Sequence, residues 1–145
     1  MLVVVLNGPN LNLLGLREPE LYGSETLSDI EAKVRAEAGR LGVTLEWHQT
    51  NHEGDFIELV QALRGRADGA LLNGAAFTHT SLAIRDALLA VKVPFVEVHL
   101  SNIFSREPER QHSRFADLAL GLISGFGAQS YVLGLQALVG RIRAG

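Results

Sequence analysis

Residues able to do chemistry are concentrated in four short stretches of this chain. In the run 95–101, FVEVHLS, the polar residues Glu97, His99 and Ser101 interrupt an otherwise apolar strand pattern at every second position. Side chains alternate along a strand, so these three share one side while Val96, Val98 and Leu100 share the other. A carboxylate two places before a histidine can accept its ring N–H and fix its tautomer, leaving the second nitrogen to trade a proton. The same spacing also suits an internally satisfied strand end, and pattern alone leaves both readings open.

The second stretch, 73–81, places Asn73, His79, Thr80 and Ser81 around the start of a helix. An amide, an imidazole, hydroxyls and a helix N-terminus suit a carboxylate or polyol ligand. The alternative makes Thr80 and Ser81 helix caps and His79 a surface residue. Arg85 and Asp86, further along, read by pattern as solvated charges. In the third stretch Arg106, Arg110 and Arg114 recur every fourth residue, with Glu107 and Glu109 between them. On a helical turn they would share a face, and one or two could hold a carboxylate bidentately; an exposed, ion-paired loop is the commoner fate of such a pattern. His48, His52 and His112 have no evident partner and read as surface.

The fourth stretch is 7–23, NGPNLNLLGLREPELYG, which follows the first apolar run and is long for a connector. Tyrosine ionises near pH 10, but a guanidinium nearby favours the phenolate, so Arg17 could make Tyr22 a usable base. Tyr22 as an apolar anchor over the sheet is the other reading. A long, Gly-bounded segment at a site of this kind is expected to move and to close over a ligand.

Alternating apolar elements must carry these stretches. Leu2 to Leu6 is continuously apolar and β-branched in its middle, as in a parallel strand covered on both faces. Further strands are expected at Val43 to His48, Gly69 to Leu72, Phe95 to Ser101 and Leu118 to Ser124. Helices are expected from a cap at Thr26 or Ser28 to Gly42, at Asp55 to Leu63, from Thr80 or Ser81 to Val91, and at Tyr131 to Ile142. Strands alternating with helices imply βαβ units and a parallel sheet. The expected architecture is a flavodoxin-like three-layer sandwich with a five-stranded parallel sheet, one domain over 1–145, and ligands at the carboxyl ends of the strands.

Composition narrows the function classes. A chain of 145 residues can bury a single core, and 47% hydrophobic with 20% charged residues is an ordinary globular balance. A net charge of -3 supplies no basic field for nucleic acid. The absence of cysteine removes disulfides, thiolate zinc sites and cysteine nucleophiles. The first apolar run is too short for a signal peptide or a membrane span, so a cytoplasmic location is expected.

Taken together, NGPNLNLLGLREPELYG at 7–23, LNGAAFTHTSLAIRDAL at 72–88 and VEVHLSNIFSRE at 96–107 resemble the type II 3-dehydroquinate dehydratases, in order and in spacing. The resemblance implies conversion of 3-dehydroquinate to 3-dehydroshikimate and water by anti elimination through an enolate, with no cofactor and no metal. It implies Tyr22 as the base, Arg17 as its activator, and Asn10 as holder of a water against the enolate oxygen. His99, held by Glu97, would be the proton donor. Asn73, His79, Ser101, the Leu100 to Ser101 main chain, Arg110 and Arg106 would bind substrate. It further implies a dodecamer of trimers in which Asp86 reaches a neighbouring subunit's site. Lys33 and Lys92, the only lysines, lie outside the catalytic positions, in keeping with a route that forms no Schiff base.

Phe77, Phe104, Ser105, Pro108 and Ser130 depart from common family residues, and Pro108 bears on how Arg106 and Arg110 are presented. Two other classes are weaker on the same residues. A flavodoxin-like phosphate or nucleotide-binding module calls for a glycine-rich cradle or an acidic cluster after the first strand. A metal hydrolase on His79, His99 and His112 lacks ligand spacing.

Overall fold

Val3, Val4, Val5 and Leu6 are all exposed by 1% or less, as a β-branched run covered on both faces must be. They form the centre of β1 (Leu2–Asn7) in the computed structural model, which describes residues 1–16, 20 and 24–145. With β2 (Thr44–Gln49), β3 (Gly69–Asn73), β4 (Phe95–His99) and β5 (Gly121–Ser124) it makes a parallel sheet in the order β2-β1-β3-β4-β5. Helices α1 (Leu27–Leu41), α2 (Glu53–Gln61), α3 (Phe77–Thr80), α4 (Leu82–Val91) and α5 (Ala128–Ala144) pack around it, with short 3-10 turns at Leu11–Leu13, Ile103–Ser105 and Pro108–Arg110.

Period-two alternation divides the core. Val3, Val5, Leu71 and Val98 meet Val34 of α1 and Leu135 of α5, whereas Val4, Leu6 and Leu72 meet Phe56 and Val60 of α2 and Ile84 of α4. The result is the three-layer, flavodoxin-like sandwich expected from the sequence. Its strand order reverses direction between β1 and β3, so the chain leaves these strands toward opposite faces and opens a crevice at their carboxyl ends.

Local chemistry sets the boundaries. Thr26, not Ser28, caps α1: its hydroxyl accepts from the Asp29 N–H at 3.1 Å, and the Asp29 carboxylate accepts from the Thr26 N–H at 3.0 Å. Ser81 caps α4 by accepting from the Ile84 N–H at 2.9 Å. The expected fifth strand starts later, at Gly121, because Leu118 and Ala119 turn back onto the Phe115 carbonyl. Strand β4 stops at His99 rather than Ser101, since the Leu100 carbonyl accepts instead from the Gly127 N–H at the start of α5. The turn α3 has no counterpart in the sequence reading. Among the described residues no helix is long and apolar enough to cross a membrane.

The crevice depends on a close approach of two loops. Gly8 donates to the Asn73 carbonyl at 2.8 Å, and a Cβ at position 8 would lie 2.2 Å from the Gly74 carbonyl oxygen. Backbone cannot yield as a flexible side chain does, so Gly8→Ala is expected to destabilise the fold by about 1–3 kcal/mol. A lower denaturant midpoint with unchanged slope would register this; an unchanged midpoint would contradict it.

Candidate active site

The loops following β1, β3 and β4 meet around a cavity of about 110 Å³. Asn10, Asn73, His79, His99, Ser101, Arg106 and Arg110 line it together, and Leu11, Leu14, Leu100 and Ile103 supply apolar wall. The sequence-derived groups from all four stretches therefore converge. Arg17 and Tyr22, and with them the part of the expected lid that carries them, lie outside the described residues.

Glu97 and His99 project from β4 on the same side as Phe95, where the strand's alternation puts them, and are 0% and 4% exposed. His99 Nε2 lies 2.6 Å from Glu97 Oε2. The other carboxylate oxygen, Oε1, accepts from the Ser113 hydroxyl at 2.7 Å. Both oxygens of a fully buried carboxylate are thereby satisfied, as burial of a charge demands. An ionised carboxylate only accepts, so Nε2 carries hydrogen and Nδ1 is the ring nitrogen left for exchange.

His79 sits on α3, half-buried, with Nδ1 2.8 Å from the His112 carbonyl. A carbonyl only accepts, so Nδ1 carries the hydrogen and Nε2 is an acceptor. Burial holds the His79 pKa below its ordinary 6.5; the bond to His112 opposes this, and charges on His99 and Arg110 reinforce it. A folded-state pKa below the unfolded one means the unfolded chain takes the proton first. This part of the stability is present above pH 6.5 and is lost as pH falls through 6.5 toward the depressed folded value. His79→Gln is expected to flatten the decline of stability between about pH 7 and 5, measured by urea unfolding at each pH; an unaltered slope would refute it.

Asn73 is held from beneath. The Asn7 amide donates to the His48 carbonyl at 3.0 Å, so its Oδ1 accepts from the Tyr131 hydroxyl, 2.7 Å away. The Tyr131 oxygen in turn accepts from Asn73 Nδ2 at 2.8 Å, while Asn73 Oδ1 accepts from the Ala75 N–H at 3.1 Å. Burial drives the Tyr131 pKa far upward, keeping the phenol protonated for this role. Its ring also packs on Trp47, with centroids 5.7 Å apart. Sequence reasoning placed Tyr131 only at the start of a helix and gave it no role.

Asn10 has a left-handed backbone, φ 68°, which asparagine tolerates better than most residues. Its N–H donates to Asn51 Oδ1 at 2.9 Å, and Gln49 Nε2 donates to the Gly8 carbonyl at 3.1 Å and to Asn51 Oδ1 at 3.0 Å. Amides at the end of β2 and just beyond it thus set the course of the loop after β1. No spacing in the sequence marked Gln49 or Asn51, since their partners lie 41 residues away.

The arginine segment is not one helical turn. Residues 103–105 and 108–110 form two separate 3-10 turns, and Pro108 begins the second. Arg106 and Arg110 line the cavity but Arg114 does not, so the three share no helical face. The Arg110 Nε donates to Glu107 Oε1. Arg85 is no solvated charge: it forks onto Asp117 at 2.6 and 2.9 Å and donates to the Arg114 carbonyl at 2.8 Å. Asp86 is exposed on α4 and is not part of this cavity wall. His48 has a partner after all, Glu46 Oε1 at 3.3 Å, and the backbone of His112 serves His79.

A family model described as dehydroquinase class II matches residues 1–139. A 3-dehydroquinate dehydratase of Synechococcus sp. (strain WH7803) is 55% identical over 143 residues, 99% of this chain and 97% of its own. A catabolic 3-dehydroquinase 1 of Aspergillus terreus is 57% identical over 129 residues, 89% of this chain and 85% of its own. The crystal structure of a type II dehydroquinase from Butyrivibrio crossotus DSM 2876 superposes with a TM-score of 0.92 at 37% identity, covering 95% of this chain and 97% of that one.

Proposed function

The chain belongs to the class II dehydroquinase family and has its 3-dehydroquinate dehydratase activity, a lyase reaction, and from that premise we propose how its residues divide the work. Tyr22, its phenolate favoured by Arg17, removes the C2 proton beside the ketone. The electron pair moves onto the carbonyl oxygen, giving an enolate against which Asn10 holds a water. The enolate collapses, the C1–O bond breaks, and His99 delivers a proton from Nδ1 to the departing hydroxyl. The products are the enone and water, and one proton has passed from substrate to Tyr22 while another has left His99.

The observation that carries this reading is the buried Glu97–His99 pair, 2.6 Å apart, whose His99 lines the cavity. With Nε2 committed to Glu97, proton delivery falls to a single nitrogen. Substrate hydroxyls and carboxylate are taken by Asn73, His79, Ser101, the Leu100 to Ser101 main chain, Arg110 and Arg106. His79, a neutral acceptor at Nε2, suits a substrate hydroxyl; Asn73, whose oxygen is already used, offers N–H. Pro108 starts the turn that sets Arg110 beside Glu107 at the cavity rim. The working form is a dodecamer of trimers in the cytoplasm, with the exposed Asp86 reaching a neighbouring subunit's cavity.

Incubation with 3-dehydroquinate in the presence of chelator, followed by the ultraviolet absorbance of the conjugated enone, tests the reaction. Full turnover with chelator and no trapping by borohydride are expected. Chelator inhibition, or borohydride inactivation dependent on substrate, would overturn the cofactor-free enolate route.

A further inference from the structure

We propose that Ser113 is a positioning residue for proton transfer, acting through Glu97 to set the protonation pattern of His99. This rests on the reading of His99 as the proton donor. The direction of the Ser113 hydroxyl is forced. Its oxygen accepts from the N–H groups of Phe115 and Ala116, both at 3.1 Å, which occupies its two lone pairs. Its single proton then goes to Glu97 Oε1 at 2.7 Å, and the opposite oxygen of that carboxylate holds His99 Nε2 at 2.6 Å. Donation runs from the backbone N–H groups into the hydroxyl and from the hydroxyl into the carboxylate, which accepts on its other oxygen from the imidazole.

The residues on either side of Ser113 are equally committed. The His112 carbonyl accepts from His79 Nδ1 at 2.8 Å, and the Arg114 N–H donates to the Thr78 carbonyl at 2.8 Å. The Arg114 carbonyl accepts from Arg85 at 2.8 Å, and Arg85 is itself clamped by Asp117. Residues 112–114 therefore form a strut that orients the two imidazoles of the cavity at once. It leaves Nε2 of His79 and Nδ1 of His99 as the nitrogens open to substrate. Glu97 comes from β4 and cannot fix its own second oxygen. Without the Ser113 hydroxyl, a carboxylate oxygen buried to 0% exposure loses its donor, and the disturbance passes directly to the ring it orients.

The test compares Ser113→Ala and Ser113→Thr by steady-state kinetics, thermal unfolding and 15N NMR of histidine-labelled protein, with His99→Asn identifying the His99 signals. Ser113→Ala is expected to lower kcat about ten- to hundredfold, the span of losing a hydrogen bond to a charged group, with KM within about threefold. It should also displace the pH profile of kcat and disturb the Nε2-protonated signal of His99. Ser113→Thr, which keeps the hydroxyl, should restore all three. A Ser113→Ala protein that unfolds at lower temperature but keeps wild-type kcat and an unaltered His99 signal would overturn the proposal, leaving only a turn-capping role. Normal kcat in His99→Asn would instead overturn the donor reading, while the His99 signals of Ser113→Ala would still decide whether the serine orients the ring.

Discussion

Replacing His99 by Asn is expected to lower kcat by about two to four orders of magnitude, the usual contribution of a positioned acid or base, with KM changed only a few-fold. The asymmetry follows from the geometry. His99 is 4% exposed and bound to Glu97, so it offers the cavity little beyond one ring nitrogen. Binding groups of longer reach, including Arg106, Arg110 and His79, come from other loops. Removing the imidazole also leaves Glu97 without its partner on Oε2. A loss of thermal stability should accompany the kinetic loss, because an unpaired buried carboxylate is costly. Steady-state rates on protein shown to be folded by circular dichroism decide the matter. A folded His99→Asn enzyme within about tenfold of wild-type kcat would remove His99 from the chemistry.

Tyr22→Phe is expected to nearly abolish kcat, again by about two to four orders of magnitude, while substrate binding measured calorimetrically stays close to wild type. Phenylalanine keeps the ring and deletes only the ionisable oxygen, so the loss reports proton transfer rather than shape. The two variants should also separate the halves of the reaction. If Tyr22 forms the enolate and His99 acts on the leaving group, His99→Asn retains exchange of the C2 proton with deuterated solvent, and Tyr22→Phe loses it. Exchange at wild-type rate in Tyr22→Phe would assign the base elsewhere.

Much of the fold was legible because it depends on short-range periodicity. The β-branched run after Met1 demanded a strand covered on both faces, and the alternation at 95–99 put Glu97 and His99 on one side before any partner was known. Boundaries were less legible where a distant group competed for the backbone. Strand β4 ends at His99 because Gly127, on the approach to α5, takes the Leu100 carbonyl. Of the two readings of Arg106, Arg110 and Arg114, the common helical face failed for a local reason, Pro108 opening a new 3-10 turn, and Arg114 went instead to the packing of α4.

By itself the sequence determined the layer order of hydrophobic faces, the positions where polar side chains interrupt strand ends, and the family through three motif stretches. These depend on residue type and on spacings of two to about twenty residues, which the chain carries locally. Only the tertiary structure decided which nitrogen of each imidazole is open and which way the Asn73 amide faces. The His79 and Asn73 choices rest on single hydrogen bonds to His112 and Tyr131, 33 and 58 residues away, and the Glu97 carboxylate that holds His99 has its second oxygen bound by Ser113, 16 residues away. A donor must meet an acceptor within about 3 Å, and no periodicity in the chain encodes which distant carbonyl or hydroxyl will arrive there.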